Sequence, residues 1–514
     1  MNRLIRQLLA LTAMTLAVPC AAADVPQATA TATLHDRSAG PTYDRRIFGQ
    51  FAEMLGTGIY GGLWVGRDSV IPNDGGFRRD AIVALKALHV PFVRWPGGCF
   101  ADTYRWRDGV GPVRRAGINS WWGGTIEPSS FGTHEYFDLL ERIGADAYIS
   151  ANVGSAPPGE TAEWLHYVTD PVTTSLGAER AANGHPAPWS AAMIGVGNEL
   201  WGCGGNLRAE AAADITLRYA TFARGSGAAP LKLASGPSED DVAWTDAMMR
   251  IAGKQIDGLS LHYYTLVGSW QDKAPALGFS RAQWFDSFAK TRVMDKLLTV
   301  HSAVMDKYDP GKVKLLAVDE WGMWHHEEKG VPALYQQNSL RDALIASVNL
   351  DIFARHADRV KISAIAQMVN VLQSMLLTDG PTTIRTPTYW TYFLYLPWQD
   401  STVIPLDIRS PDMRDGARSQ PALSMSAVRD KKGRRHVALT NVDPDRALPV
   451  TLAIDGGAPR HLFGRVLSAD RMDAHNDAAH PDAVAPRAFA GARKEGSSVV
   501  VTVPAKSLVV LDLD

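Results

Sequence analysis

Two glutamates stand at matching places in the chain. Glu199 lies in Asn198-Glu199-Leu200-Trp201 and Glu320 in Asp319-Glu320-Trp321, and each follows an apolar, strand-like run. Two carboxyl groups held face to face can cleave a glycosidic bond: the protonated one assists the leaving oxygen and the ionised one attacks the anomeric carbon or activates water. A gap of about 5 Å gives retention of configuration, and roughly 6.5–9.5 Å gives inversion. On residue type alone, two such glutamates could also be metal ligands or salt-bridged supports. Further polar groups recur in the same setting. Glu53 follows Gln50-Phe51-Ala52, Arg94 opens Arg94-Trp95-Pro96-Gly97-Gly98, and Asn198 precedes Glu199. His262 and Tyr264 frame Tyr263, and Gln367 and Asn370 close the last apolar run.

These side chains meet only if the strands that carry them lie parallel and side by side. Eight strands are expected, at Ile47–Glu53, Pro91–Trp95, Ala147–Val153, Met193–Glu199, Leu231–Ser235, Gly258–Tyr264, Lys314–Glu320 and Ile362–Val369. Helix-like spans lie between them, among them Arg79–Leu88, Tyr136–Ile143, Ala209–Ala223, Met294–Tyr308 and Ser339–His356. Strands alternating with helices imply parallel βαβ units, and eight of them imply an α/β fold of the (β/α)8 TIM-barrel type. In such a barrel the active site lies at the C-terminal ends of the strands, where these polar groups fall. An open dinucleotide-binding sheet would want G-x-G-x-x-G after its first strand, and Phe48-Gly49-Gln50-Phe51-Ala52 lacks it. From about Ser401 the texture changes to short β-rich runs such as His436–Thr440, Leu448–Ile454, Ser498–Val503 and Leu508–Leu513, the pattern of a β-sandwich. Asp470 to Gly496 reads as loops. The expected organisation is a signal segment over 1–23, an N-terminal strand over 24–46 that joins the sandwich, a catalytic barrel over 47–400 and an all-β, jelly-roll-like sandwich over 401–514.

The composition narrows the function classes. Of 514 residues, 46% are hydrophobic and 21% charged, which excludes a disordered chain and a multi-span membrane protein. A formal charge of −2 offers no basic field for nucleic acid. Arg3 and Arg6, the apolar run Leu8–Val18 and Ala21-Ala22-Ala23 have the layout of a secretory signal peptide cleaved near Ala23. The expected product is soluble, periplasmic or secreted, with no membrane attachment after cleavage. Of the three cysteines, Cys20 would leave with that segment. Cys99 and Cys203 both follow barrel strands; a disulfide and two separate thiols are both open readings. His325-His326-Glu327-Glu328 lacks the i,i+4 histidine spacing of a helical zinc site and reads as a solvated loop. Trp122, Trp201, Trp321 and Trp324 could be sugar platforms or simply packed rings. Glu53 could pair with Arg94, and Arg94 could anchor Glu320 and help keep it ionised.

The strings Phe51-Ala-Glu-Met-Leu-Gly, Arg94-Trp-Pro-Gly-Gly-Cys-Phe, Gly195-Val-Gly-Asn-Glu-Leu-Trp-Gly-Cys-Gly-Gly-Asn, His262-Tyr-Tyr and Val318-Asp-Glu-Trp-Gly-Met-Trp resemble the α-L-arabinofuranosidases of glycoside hydrolase family 51. The resemblance runs in order from Phe48 to the end of the barrel. It implies a barrel with a β-sandwich, no cofactor and no metal, and a retaining, exo-acting enzyme. It makes Glu199 the acid/base and Glu320 the nucleophile. Glu53, Arg94, Asn198 and Gln367 match positions that hold furanose hydroxyls or the nucleophile, and Tyr264 matches a tyrosine bonded to the nucleophile. The implied substrates are arabinose-containing oligo- or polysaccharides such as arabinoxylan and arabinan, and the implied assembly is a homo-oligomer. Two departures stand out. Met54 replaces a family histidine, and Cys99 stands where many members carry a sugar-binding asparagine, although one bacterial branch has the same cysteine. A β-xylosidase or β-glucanase would use the same glutamate pair. A non-catalytic carbohydrate-binding protein would need neither glutamate, and a metal-dependent hydrolase would need a ligand cluster.

Overall fold

The computed structural model describes residues 29–514. The signal-peptide reading of Met1–Ala23 lies outside the described residues. Eight parallel strands close into a barrel: β1 Gly49–Phe51, β2 Phe92–Trp95, β3 Asp146–Ala151, β4 Met193–Val196, β5 Leu231–Ala234, β6 Gly258–Thr265, β7 Leu315–Met323 and β8 Val360–Ala366. Each strand pairs with the next, and β8 pairs with β1. Helices surround the barrel; Thr133–Ile143 turns Tyr136, Leu139, Leu140 and Ile143 inward and ends on Gly144 in the left-handed region, whereas Leu340–Arg355 is buried on all sides.

The inside of the barrel is filled. Phe51, Phe92, Tyr148, Met193, Leu233, Ala317, Ile362 and Ala364 form one buried cluster. A Cβ at Gly49 would lie 2.1 Å from the Phe92 ring, so glycine there lets the ring occupy the barrel axis. Strand alternation then brings a polar layer above the apolar one, since Arg94 follows Phe92 by two residues and stands 4.5 Å over the Phe51 ring.

The remaining strands form a sandwich. One sheet orders Leu406–Arg409, Ala30–Leu34, Leu448–Ile454, Ser498–Val503 and Ala492–Glu495; the other has seven strands and includes Thr42–Tyr43. The N-terminal strand is therefore internal to a sheet of the C-terminal domain. Alternate residues of Leu448–Ile454 are buried, as a two-layer sandwich requires. The stretch Asp470 to Gly496 is not all loop: short strands form at Arg487–Ala488 and Ala492–Glu495, where the backbone finds sheet edges to join. Its first part lies against the barrel, with Leu340 donating its N–H to the Ala474 carbonyl. Among the described residues, no helix is long and apolar enough to cross a membrane.

Candidate active site

Glu320 does not follow its strand; it lies inside β7. The pairing of β6 with β7 slips between Ser260↔Ala317 and His262↔Glu320, so two β7 residues oppose one of β6. This bulge breaks the period of two and turns the consecutive residues Asp319 and Glu320 both toward the barrel axis. Trp321 then points outward and packs on Phe353 at 5.4 Å, fully buried, and is no sugar platform. Glu199 is held differently. It stands three residues beyond β4, past Gly197, with a left-handed φ of 41°. The N–H groups of Gly202 and Gly204 bond its carbonyl at 2.7 and 3.1 Å, which fixes that strained turn.

The Glu320 carboxylate has a partner at each oxygen. Arg94 Nη1 donates to Glu320 Oε2 at 2.9 Å, and the Tyr264 hydroxyl donates to Oε1 at 2.7 Å. Arg94 Nη2 donates to Asn198 Oδ1 at 2.6 Å, so one guanidinium orients both residues. Below it, Asp319 lies 3.6 Å from Arg94 Nε and accepts from the hydroxyls of Tyr148 and Ser260. Burial alone would raise the Asp319 carboxyl; the charge of Arg94 and the His262 and Ser260 bonds hold it far below the usual carboxylate range.

His262 bridges the pair. Its Nδ1 is 2.9 Å from Glu199 Oε1 and 3.5 Å from Glu320 Oε2, and its Nε2 is 3.4 Å from Asp319 Oδ1. Burial works against the imidazolium, but the surrounding charges of Glu320, Asp319 and Glu199 outweigh it and push the ring up to about 10. One oxygen of Glu199, one of Glu320 and a ring nitrogen of His262 all lie within 4.8 Å of one another. With the ring protonated, the three groups form an ion-paired triad.

Glu53 forms the opposite wall. Its Oε1 accepts the N–H groups of Gly98 and Phe100, both at 3.0 Å, and its Oε2 accepts from Gln367 at 3.2 Å. Burial and the charge of Glu320 push its carboxyl up to about 7 against those N–H bonds and Arg94. Of the two glycines of Arg94-Trp-Pro-Gly-Gly, the first is a steric necessity and the second eases a tight contact. A Cβ on Gly97 would meet Glu53 Cγ at 2.4 Å, and one on Gly98 would stand 3.2 Å from Glu320 Oε2.

These groups open onto a cavity of about 370 Å³, near the lower end of the roughly 300–1,000 Å³ usual for small-molecule sites. Glu53, Glu199, His262, Tyr264, Glu320 and Gln367 line it, while Arg94 and Asn198 lie behind them. Trp122, Trp201, Trp270 and Trp324 add aromatic walls, with Trp270 and Trp324 meeting edge-on at 5.3 Å. Met54 does not line the cavity; it is 2% exposed and turned into the core. Cys99 and Cys203 are joined as a disulfide that ties the turn after β2 to the loop after β4. The solvated-loop reading of His325 is corrected: His325 is buried, 2.8 Å from Asp342, while His326, Glu327 and Glu328 are exposed.

Asp102, Tyr148, Ser260 and Trp270 were not read as site residues from the sequence. Asp102 carried a weak signal, an acid eight residues past Arg94 in a turn between apolar strands. Its carboxylate accepts the N–H groups of Val153, Gly154 and Asn198 at 2.9, 2.8 and 3.2 Å. Burial pushes it up to about 7, against those three bonds.

Comparison with known proteins agrees with this architecture. Residues 84–265 match the model of the α-L-arabinofuranosidase 1 domain, and residues 319–507 match that of the α-L-arabinofuranosidase C-terminal domain. The second match begins at Asp319 inside β7, so it spans the end of the barrel as well as the sandwich. An intracellular exo-α-L-arabinofuranosidase of Bacteroides ovatus is 43% identical over 494 residues, 95% of this chain and 96% of the relative. The crystal structure of the GH51 arabinofuranosidase from Xanthomonas axonopodis pv. citri superposes with a TM-score of 0.93 at 51% identity, over 95% of this chain and all of that one. An α-L-arabinofuranosidase from Thermotoga maritima, solved as an arabinose complex, gives a TM-score of 0.84 at 25% identity, over 94% of this chain and all of that one. The chain belongs to the α-L-arabinofuranosidases of glycoside hydrolase family 51.

Proposed function

We propose that this α-L-arabinofuranosidase releases terminal non-reducing arabinofuranosyl residues from arabinoxylan, arabinan or their oligosaccharides with retention, with Glu320 as nucleophile and Glu199 as acid/base. The observation that carries the reading is the carboxylate spacing. Oxygens of the two groups approach within 4.8 Å, which suits the roughly 5–5.5 Å carboxyl separation of a retaining site and leaves no room for an intervening water.

The division of labour follows from the partners. Both oxygens of Glu320 accept a hydrogen bond, from Tyr264 and from cationic Arg94, which fixes the carboxyl group in the place that a nucleophile needs. Glu199 has the more open side chain, 20% exposed against 11% for Glu320, and its neighbour His262 holds a proton 2.9 Å away. In the first step the bond from the anomeric carbon to the leaving oxygen breaks as the Glu320 carboxylate bonds that carbon. The leaving oxygen takes its proton from Glu199, within the one-proton store that Glu199 shares with His262. In the second step Glu199 takes a proton from water, the water oxygen bonds the anomeric carbon, and Glu320 departs. Glu53 lines the cavity and is placed to bond a furanose hydroxyl, while Asn198 lies behind it on Arg94.

The test is hydrolysis of 4-nitrophenyl α-L-arabinofuranoside against the β-D-xylopyranoside and β-D-glucopyranoside. Turnover on the arabinofuranoside and its near-complete loss in Glu320→Ala are expected. Glu199→Ala should keep the first step on this good leaving group and, with azide, form the arabinosyl azide of retained configuration. If both variants keep more than about a tenth of the activity, each loss is under about 1.4 kcal/mol and the assignment fails. Turnover only on the xyloside or glucoside would favour the other barrel hydrolases.

Export to the periplasm or the medium belongs to the same proposal. It is supported by the composition of Met1–Ala23 and by a disulfide that an oxidising compartment preserves. Homo-oligomerisation is also proposed; the exposed cross-strand pair Ile118 and Ile126 on the hairpin after β2 supports it, and light scattering of the purified protein tests it.

A further inference from the structure

The turn after β2, Cys99–Thr103, touches three different loops of the rim. Through Phe100 its backbone serves Glu53, and through Cys99 it is bonded to Cys203 in the loop that carries Glu199. Asp102 makes the third set of links. It is 2% exposed, and one of its oxygens accepts from Val153 and Gly154 after β3 while the other accepts from the Asn198 N–H after β4. Its own carbonyl accepts the Ser155 hydroxyl at 2.7 Å. Among the described residues no cation within ion-pair distance neutralises this carboxylate; backbone N–H groups alone receive it.

The surroundings are shaped for that carboxylate. A Cβ on Gly154 would lie 2.9 Å from Asp102 Cβ, and one on Gly204 would lie 3.0 Å from Asp102 Oδ2 and 2.0 Å from the Asn198 carbonyl. Glycine on both sides lets two loops close around one acid. The residue immediately after the bonded Asn198 N–H is Glu199, whose φ of 41° is costly for a side chain other than glycine's. A strained conformer persists only where its surroundings over-determine it. The Asn198 bond and the Cys203 disulfide fix the two ends of the short loop that holds it.

Building on the assignment of Glu199 as acid/base, we propose that Asp102 is a positioning residue for that group: it gathers the β3 and β4 loops so that the Glu199 carboxyl stands at the leaving oxygen. It touches no reacting atom, and its effect is transmitted through the Asn198–Glu199 backbone.

The test separates this role from plain stabilisation. Protonation by Glu199 matters most for a poor leaving group and little for a very good one. So kcat/KM is measured on aryl α-L-arabinofuranosides from 2,4-dinitrophenyl to phenyl, for the wild type, Asp102→Asn and Glu199→Ala. Asp102→Asn places an amide N–H against a backbone N–H and should loosen the loop. A misplacement of the order of 1 Å can cost about 100-fold, so a loss of tenfold or more is expected on the phenyl substrate, against about threefold or less on the dinitrophenyl one. Gly154→Ala displaces the same carboxylate without removing it and should steepen the leaving-group dependence in the same sense, which decides the matter if Asp102→Asn does not fold. A uniform loss across the series, or none, in the folded variants overturns the proposal. If Glu199→Ala itself shows no leaving-group dependence, the assignment of the acid/base fails instead.

Discussion

Tyr264→Phe is the cleanest probe of how Glu320, the proposed nucleophile, is held. It removes one oxygen and nothing else. The ring keeps its edge-on contact with Trp324, whose centroid is 5.0 Å away, so packing is retained. What disappears is the 2.7 Å bond from the phenol to Glu320 Oε1, leaving the carboxylate with the Arg94 bond and the His262 ion pair at Oε2. The phenol is a donor at every working pH, because burial and the charge of Glu320 raise it well above its ordinary value. A hydrogen bond to a charged group contributes about 1.5–3 kcal/mol, and 1.36 kcal/mol is tenfold in rate, so a loss of about 10- to 150-fold in kcat/KM is expected. The loss should fall on kcat, since the bond orients the attacking oxygen and adds no contact to the resting sugar. Steady-state hydrolysis of 4-nitrophenyl α-L-arabinofuranoside measures it, with thermal melting as the control for the fold. A loss smaller than about threefold, or one confined to KM, would refute the claim that Tyr264 holds the nucleophile in its reacting position.

Two further outcomes are expected. The His262 ring is raised from 6.5 to about 10, so its ion pairs contribute stability fully below pH 6.5, and that contribution is lost as pH rises through about 10. Melting curves from pH 7 to 11 should therefore fall more steeply in the wild type than in His262→Gln; parallel curves would remove the imidazolium from the site. The Cys99–Cys203 bond spans 104 residues, and a closed loop of about that length is worth roughly 4–5 kcal/mol in the chain-entropy account. The Cys99→Ser/Cys203→Ser protein should unfold at clearly lower urea than the wild type, and coincident unfolding curves would deny the bond a stabilising role.

Much of this site was legible because parallel barrel strands are buried on both faces and read as short apolar runs. Each candidate then needed only to stand at the end of such a run. Glu53, Arg94, His262 and Gln367 were found that way, and Glu199 too, although it lies beyond its strand. The bulge that brings Asp319 and Glu320 to the same side was not legible. Every residue of β7 after Leu315 is buried, so no alternation of polar and apolar positions marks where the period breaks. Asp102 was hidden for another reason: its partners are backbone N–H groups from loops that lie about 50 and 100 residues away in sequence. Met54 invited a site role because the resemblance puts a histidine there, yet its side chain faces the core. His325 was misread for the same kind of reason. Its loop is polar, but Asp342 at the start of helix Leu340–Arg355 draws the ring inside.

The parallel pairing of Ala30–Leu34 with Leu448–Ile454 gives this architecture a nested grammar. The sandwich is one module written in two pieces, and the barrel is spliced between them. During synthesis the ribosome must finish the whole barrel before the early strand finds its neighbours, so that segment waits unpaired while the catalytic half matures. The same nesting governs exchange of parts. A swap of residues 401–514 between relatives would seat one parent's inner strand in the other parent's sheet, whereas a swap that carries residues 29–46 along with it keeps the sheet from one parent. Recombination that preserves this enzyme must therefore treat the barrel as the insert and the sandwich as the host.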